Sequence, residues 1–200
     1  MRTREQTIFR YAELGGAAKD RARDWMVEGL WDSVQDELRE RFKELLSDAG
    51  FPGATDIYFS LGRVQGDGVT FDDRHFDLKA WLRATPAAAV SQEARDHMEE
   101  FKRLAREDSL NISIQTASRG ARHFNPPRVM VEPTYRVEAH PGDEEAIAQL
   151  EKAIQESVDD VCRAMTREGY EIIEFREGDE ELSDLAEAND YEFDEQGRPT

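Results

Sequence analysis

The sequence predicts an α+β protein in which a small antiparallel sheet packs with N-terminal helices and one long C-terminal helix. Near both ends of the chain, apolar residues recur at the three- and four-residue spacing of amphipathic helices. Between them, short runs of β-formers alternate with turn signals, which is typical of antiparallel strands. The 200 residues suit one domain. We expect it to cover residues 1–178, followed by an acidic tail over residues 179–200 that has room for a short helix.

The pattern of the N-terminal region predicts a short strand or extended lead-in, followed by two helices. Residues 7–14 alternate loosely, and Gly15 and Gly16 then break the chain. Asp32 or Ser33 would cap the second helix at a junction over residues 31–33. The apolar positions of the two helices are Ala18, Ala22, Trp25, Met26 and Leu30, then Val34, Leu38, Phe42, Leu45 and Leu46.

The β-forming runs in the middle of the chain predict the antiparallel sheet. Residues 56–64 and 69–71 flank an Asp-Gly pair and form a predicted hairpin. Residues 76–82 resemble another strand, and residues 91–106 carry a helical stripe. Residues 110–115 alternate with period two, and residues 129–137 provide an antiparallel partner after a loop.

The C-terminal half predicts one long helix, which begins at Asp143 and ends before Gly169. Ile154 and Val161 should be buried, and residues 170–175 indicate a last strand or an extended segment. We expect the three tryptophans to lie in the core. Cys162 is the only cysteine, so no intramolecular disulfide can form, and its place in the apolar periodicity predicts an inert packing residue.

The charge restricts the classes of partner. With 44 acidic and 26 basic residues the net charge is −18, which repels duplex DNA, RNA and anionic lipid. No apolar run is long enough for a membrane span, and we expect no signal peptide and a cytoplasmic location. The last thirty residues hold twelve acids against two arginines. The predicted acidic interaction surface consists of Asp179, Glu180, Glu181, Asp184, Glu187 and Asp190.

Two loops are candidate binding sites. Gln65, Gly66, Asp67 and Gly68 fit either a ligand or metal loop, with Asp67 as an oxygen ligand, or a hairpin turn whose glycines supply positive φ. The only basic cluster, Arg119, Arg122 and His123, fits either a site with His123 as general base or a salt-bridged surface loop. Hairpin loops of one sheet can lie at the same end, so we predict that Asp67 lies near this cluster.

Metal and catalytic signals are weak. Asp72, Asp73 and His75, together with Asp67, have the donor atoms of a divalent-metal site, but consecutive acids on a loop are usually solvated. The chain contains no nucleophile elbow, no CxxC pair and no HExxH motif. The sequence therefore predicts no cofactor and assigns neither a metal site nor a catalytic residue.

Several segments in order resemble a family of small phage- and prophage-encoded proteins, mostly of undefined activity or loosely labelled as antitoxins. These segments are residues 11–14, 18–25, 57–60, 65–71, 118–123 and 189–198. The sequence departs from that pattern by inserting residues 87–90 and 125–127. The resemblance implies a viral or prophage origin and a cytoplasmic role in an infected bacterium, and it implies no catalytic residue.

Together these observations predict a phage-encoded acidic effector. It would bind and modulate or inhibit a host or defence protein by occupying a basic nucleic-acid-binding surface. Two alternatives stay open, an antitoxin-like neutraliser of a basic toxin and a metal-dependent enzyme using Asp67, His75 and His123. The sequence also leaves homo-oligomerisation open.

Overall fold

A computed structural model describes residues 7–116, 126–134 and 142–200. Its described residues form six α-helices and two two-stranded antiparallel sheets, so the predicted α+β class is confirmed. The chain divides into two compact units. The terminal unit combines Met1–Leu38 with Gly169–Thr200, and the central unit is Arg39–Glu168.

Two hairpins form the sheets of the central unit. Strand β1 (Asp56–Ser60) pairs with β2 (Gly68–Asp72), and β3 (Leu110–Gln115) pairs with β4 (Arg128–Pro133). The hairpins meet where Asp73 and Ile114 exchange backbone hydrogen bonds of 2.9 and 2.7 Å. The alternation predicted for residues 110–115 is confirmed, because Ile112 and Ile114 are both buried.

The short helices of the central unit differ from the sequence prediction, one in its type and two in their bounds. The strand predicted over residues 76–82 is wrong, since helix α2 (Leu78–Ala84) lies there. The Asp77 carboxylate accepts hydrogen bonds from two backbone N–H groups of its first turn, which is N-capping. The helix predicted over residues 91–106 is interrupted at His97, giving α3 (Gln92–Asp96) and α4 (Met98–Glu107).

Both long helices run further than the sequence suggested. Helix α1 (Gly16–Asp48) is continuous, so the predicted junction at residues 31–33 is wrong. Helix α5 (Asp143–Arg176) continues through Gly169, and the strand predicted over residues 170–175 is helical. Ile173 is buried and stands eight residues after Met165, so the helical spacing persists beyond the glycine. The predicted burial of Ile154 and Val161 is confirmed.

The terminal unit has its own core. A 3-10 turn (Tyr11–Glu13), α1 up to Leu38 and helix α6 (Asp179–Ala188) contribute to it. Phe9 exchanges backbone hydrogen bonds of 2.9 and 3.0 Å with Phe193. The buried residues of the core are Tyr11, Leu14, Ala22, Met26, Leu182, Ala186 and Phe193. This division differs from the one predicted at residue 178, because the segment expected to be a tail supplies three core residues.

Among the helices of the described residues, none combines the length and the apolar character that crossing a bilayer requires.

Candidate functional site

The loop at residues 65–68 is a closed hairpin connection. The Asp67 carboxylate accepts hydrogen bonds from the Ser60 hydroxyl and the Val64 backbone N–H, both at 3.0 Å. Gly66 has φ +98°, a conformation that favours glycine. Both carboxylate oxygens of Asp67 therefore stabilise the loop, as the turn interpretation predicts. Gly68, expected to have positive φ as well, is instead the first residue of strand β2.

The second candidate loop, with Arg119, Arg122 and His123, lies outside the described residues. Strand β3 runs antiparallel to β2 at the Asp73–Ile114 bridge. It is followed by Thr116, whose hydroxyl lies 3.2 Å from that of Thr70. The proximity of Asp67 to the basic cluster stays a prediction.

The acids of the suspected metal set accept structural hydrogen bonds, except at Oδ2 of Asp73, which has no hydrogen-bond partner among the described residues. Asp72 accepts a 2.7 Å hydrogen bond from the Thr116 backbone N–H, and Asp73 accepts one of 3.1 Å from the His75 backbone N–H. Asp73 is fully buried, and its burial raises the pKa of the carboxyl. Within residues 7–116, 126–134 and 142–200, no three His, Cys, Asp or Glu side chains are placed to hold a metal ion.

The predicted acidic surface over residues 179–190 divides into two groups. Asp179, Glu181 and Asp190 form ion pairs with Lys19 at 2.7 Å, with Arg176, and with Arg10 at 3.2 Å, respectively. These three acids therefore link α6 and its C-terminal end to other parts of the terminal unit. The remaining three, Glu180, Asp184 and Glu187, are exposed.

A more regular acidic feature lies on α1. We call it the acidic ladder; an acid stands at every fourth residue along the helix, and all eight side chains are exposed. The ladder consists of Asp20, Asp24, Glu28, Asp32, Asp36, Glu40, Glu44 and Asp48. Each step rises about 6 Å and turns about 40° around the helix. The carboxylates therefore follow a ridge that winds slowly around α1.

The opposite ridge of α1 is apolar. Ala22, Met26, Val34, Leu38, Phe42 and Leu46 are buried, and each stands two residues, or about 200°, from a ladder acid. The sequence reasoning followed this apolar row and missed the acidic one. Acidic residues at four-residue spacing would have predicted the ladder from the sequence, because the pattern needs no tertiary information.

Charge is concentrated in the terminal unit. Its two segments hold twenty acidic and eight basic residues, a net charge of −12. The central unit is larger and carries −6. Like charges at i and i+4 on a helix are unfavourable by a few tenths of a kcal/mol each. These like-charge contacts oppose the stability of α1, and they are partly offset where Glu40 and Glu44 pair with Lys43 and Arg41 at 2.6 and 2.8 Å.

No family model, curated protein or solved structure matches the chain.

Proposed function

We propose that this protein is a phage-encoded acidic effector that binds a host or defence protein through the terminal unit. It would inhibit or modulate that protein by occupying a basic surface that otherwise binds nucleic acid. The phage origin rests on the family resemblance alone. The binding mode rests on one observation, the part of the acidic ladder in the terminal unit, Asp20, Asp24, Glu28 and Asp32.

The ladder supports this mode because its charges are arranged in a row. Nucleic-acid-binding proteins neutralise successive phosphates of a helical backbone with lysine and arginine. A ridge of carboxylates about 6 Å apart along a helix axis offers such side chains a comparable row of negative charges.

The net charge of −12 on the terminal unit acts over a longer range. Fields of this kind accelerate the encounter of oppositely charged surfaces and weaken as salt screens them. The same charge opposes binding to duplex DNA itself. The proposed partner is therefore a basic protein and not its nucleic acid.

The test is capture from a bacterial lysate with the full chain immobilised, followed by elution with duplex DNA at constant salt. The ladder variant carries Asp20→Asn, Asp24→Asn, Glu28→Gln and Asp32→Asn. We expect DNA to release the proteins captured by the wild type, and the ladder variant to capture them at least about tenfold less, which corresponds to ~1.4 kcal/mol.

A matched control removes the same charge elsewhere, with Glu93→Gln, Asp96→Asn, Glu132→Gln and Glu156→Gln on exposed positions of the central unit. It should capture the same proteins as the wild type. Equal capture by the ladder variant, or captured proteins that DNA does not release, would contradict the proposal.

A further inference from the structure

A groove lies within the terminal unit where α1, α5 and α6 meet. Its volume is about 400 Å³. Its walls combine aliphatic side chains with one hydroxyl and three charged groups. The lining residues are Leu30, Ser33, Val34, Glu37, Arg176, Glu181 and Leu185.

A narrower crevice adjoins the groove and shares Leu30, Val34 and Arg176 with it. Its additional apolar lining is Val27, Trp31 and Ile173. Trp31, predicted to be a core residue, is 39% exposed. Phe175, next to Arg176 in the chain, is 63% exposed, and the Arg176 guanidinium lies 5.7 Å from its ring centre. A large aromatic side chain exposed in the wall of an apolar recess, as Trp31 is, is typical of interaction surfaces.

The charges of the groove favour a cationic occupant. Arg176 donates a 2.9 Å hydrogen bond to Glu37 and another to Glu181, so its positive charge is already matched. The hydrogen bond to Glu37 is the main cause that raises the pKa of Arg176. Glu177 lines the crevice and pairs with Arg23 at 3.8 Å, so the three carboxylates exceed the two guanidinium groups by one negative charge. A second copy of this chain would bring a net charge of −18 to an acidic surface, so like-charge repulsion disfavours it.

We infer that this groove binds an apolar side chain carried by a lysine- or arginine-rich segment of the partner protein. The inference rests on the proposed function and adds a short-range contact to it. Glu28 and Asp32 of the ladder stand two residues from Leu30, which places them on the opposite side of α1 from the groove. The groove therefore supplies an apolar contact that the ladder does not.

The test measures binding of two short fluorescent peptides to the full chain at low and high salt. One contains lysine with leucine at helical spacing, and the other replaces each leucine by serine at unchanged charge. Ser33→Trp places a bulky side chain at an exposed position of the groove wall. The matched control, Ser47→Trp, makes the same change at an exposed position of α1 in the central unit. Circular dichroism and thermal unfolding verify that both variants fold.

We expect the leucine peptide to bind at least about tenfold more tightly than the serine peptide, because it can bury an aliphatic side chain. Ser33→Trp should remove most of this difference, and Ser47→Trp should preserve it. Equal affinities for the two peptides, or an unchanged difference in Ser33→Trp, would overturn the groove inference. Equal, salt-sensitive binding of both peptides would leave the proposed function standing, whereas no binding at low salt would contradict the proposed function too.

Discussion

The hydroxyl of Tyr11 donates a 2.8 Å hydrogen bond to the carboxylate of Asp179, 168 residues later in the chain. Tyr11 is buried in the core of the terminal unit, and Lys19 pairs with the other carboxylate oxygen of Asp179. The hydrogen bond thus joins the N-terminal 3-10 turn to the first turn of α6. Its two groups titrate at opposite ends of the pH scale.

We expect Tyr11→Phe to lower the free energy of unfolding by about 1 kcal/mol near neutral pH, the usual contribution of one hydrogen bond. Lys19 first, then Tyr11, lowers the pKa of Asp179, so this stabilisation is present above about pH 4 and is lost as pH falls through the folded-state pKa. Burial, followed by the hydrogen bond to Asp179, raises the pKa of Tyr11. Wild-type stability should therefore also decline above about pH 10.

Urea unfolding of both proteins across this pH range measures these effects. The difference between wild type and Tyr11→Phe should be constant at intermediate pH and shrink on the acid side. A difference that did not change at low pH would mean that the charge of the Asp179 carboxylate contributes nothing to this stabilisation.

Truncation after Glu177 should unfold the terminal unit. The deletion removes Leu182, Ala186 and Phe193, which are buried in its core, and losing one large buried side chain typically costs about 3–5 kcal/mol. Hydrogen exchange of residues 9–30 would report the loss of protection. The control variant Glu180→Gln, Asp184→Asn, Glu187→Gln changes only charge and should keep that protection. A truncated chain with native exchange rates in this region would contradict the packing described above.

Gly197→Ala should destabilise the terminal unit by at least about 2 kcal/mol. Gly197 has φ +76°, and an added Cβ would overlap the backbone carbonyl of Ala18. The matched control is Gly29→Ala, at a helical position where a Cβ meets nothing within 4 Å. That variant should gain about 0.5–1 kcal/mol from the higher helix propensity of alanine. Thermal unfolding compares the two, and equal midpoints would show that the C-terminal segment does not pack on α1.

Neutralising the ladder should make the protein more stable. The four substitutions at residues 20, 24, 28 and 32 remove four like-charge contacts at i, i+4 spacing, including the one to Asp36. Together these contacts cost about 1–2 kcal/mol. The gain, measured by urea unfolding, should shrink in high salt because salt screens exposed charges. If the variant were less stable than the wild type, the ladder would have a structural role, and its assignment to binding would lose its physical basis.

Cys162 should be unreactive in the folded protein. It is buried, and burial raises the pKa of its thiol to about 12, so almost none of the reactive thiolate exists at pH 8. A colorimetric thiol reagent should label the native protein negligibly and the urea-unfolded protein stoichiometrically. Rapid labelling without denaturant would mean that the middle of α5 opens locally.

The sequence by itself determined the features that depend on near neighbours along the chain. Positive φ at Gly66, the hairpin around it and the alternation of Ile112 and Ile114 are local consequences of turn chemistry and strand periodicity. The acidic ladder is equally local, because it depends only on acids at four-residue spacing within one helix. Burial of Cys162 followed from its place in the same helical period as Ile154 and Val161.

Tertiary structure decided where local preferences conflicted or where the partner was distant. Residues 170–175 are rich in β-formers, yet they are helical and belong to α5, because this conformation buries Ile173. Phe193 has polar residues on either side in sequence and is buried because Phe9, Tyr11 and Trp25 lie against it. The groove beside Trp31 also needs three helices from distant parts of the chain. Periodicity encodes which side of an element is apolar, whereas the surface that covers that side is set by contacts that no local pattern contains.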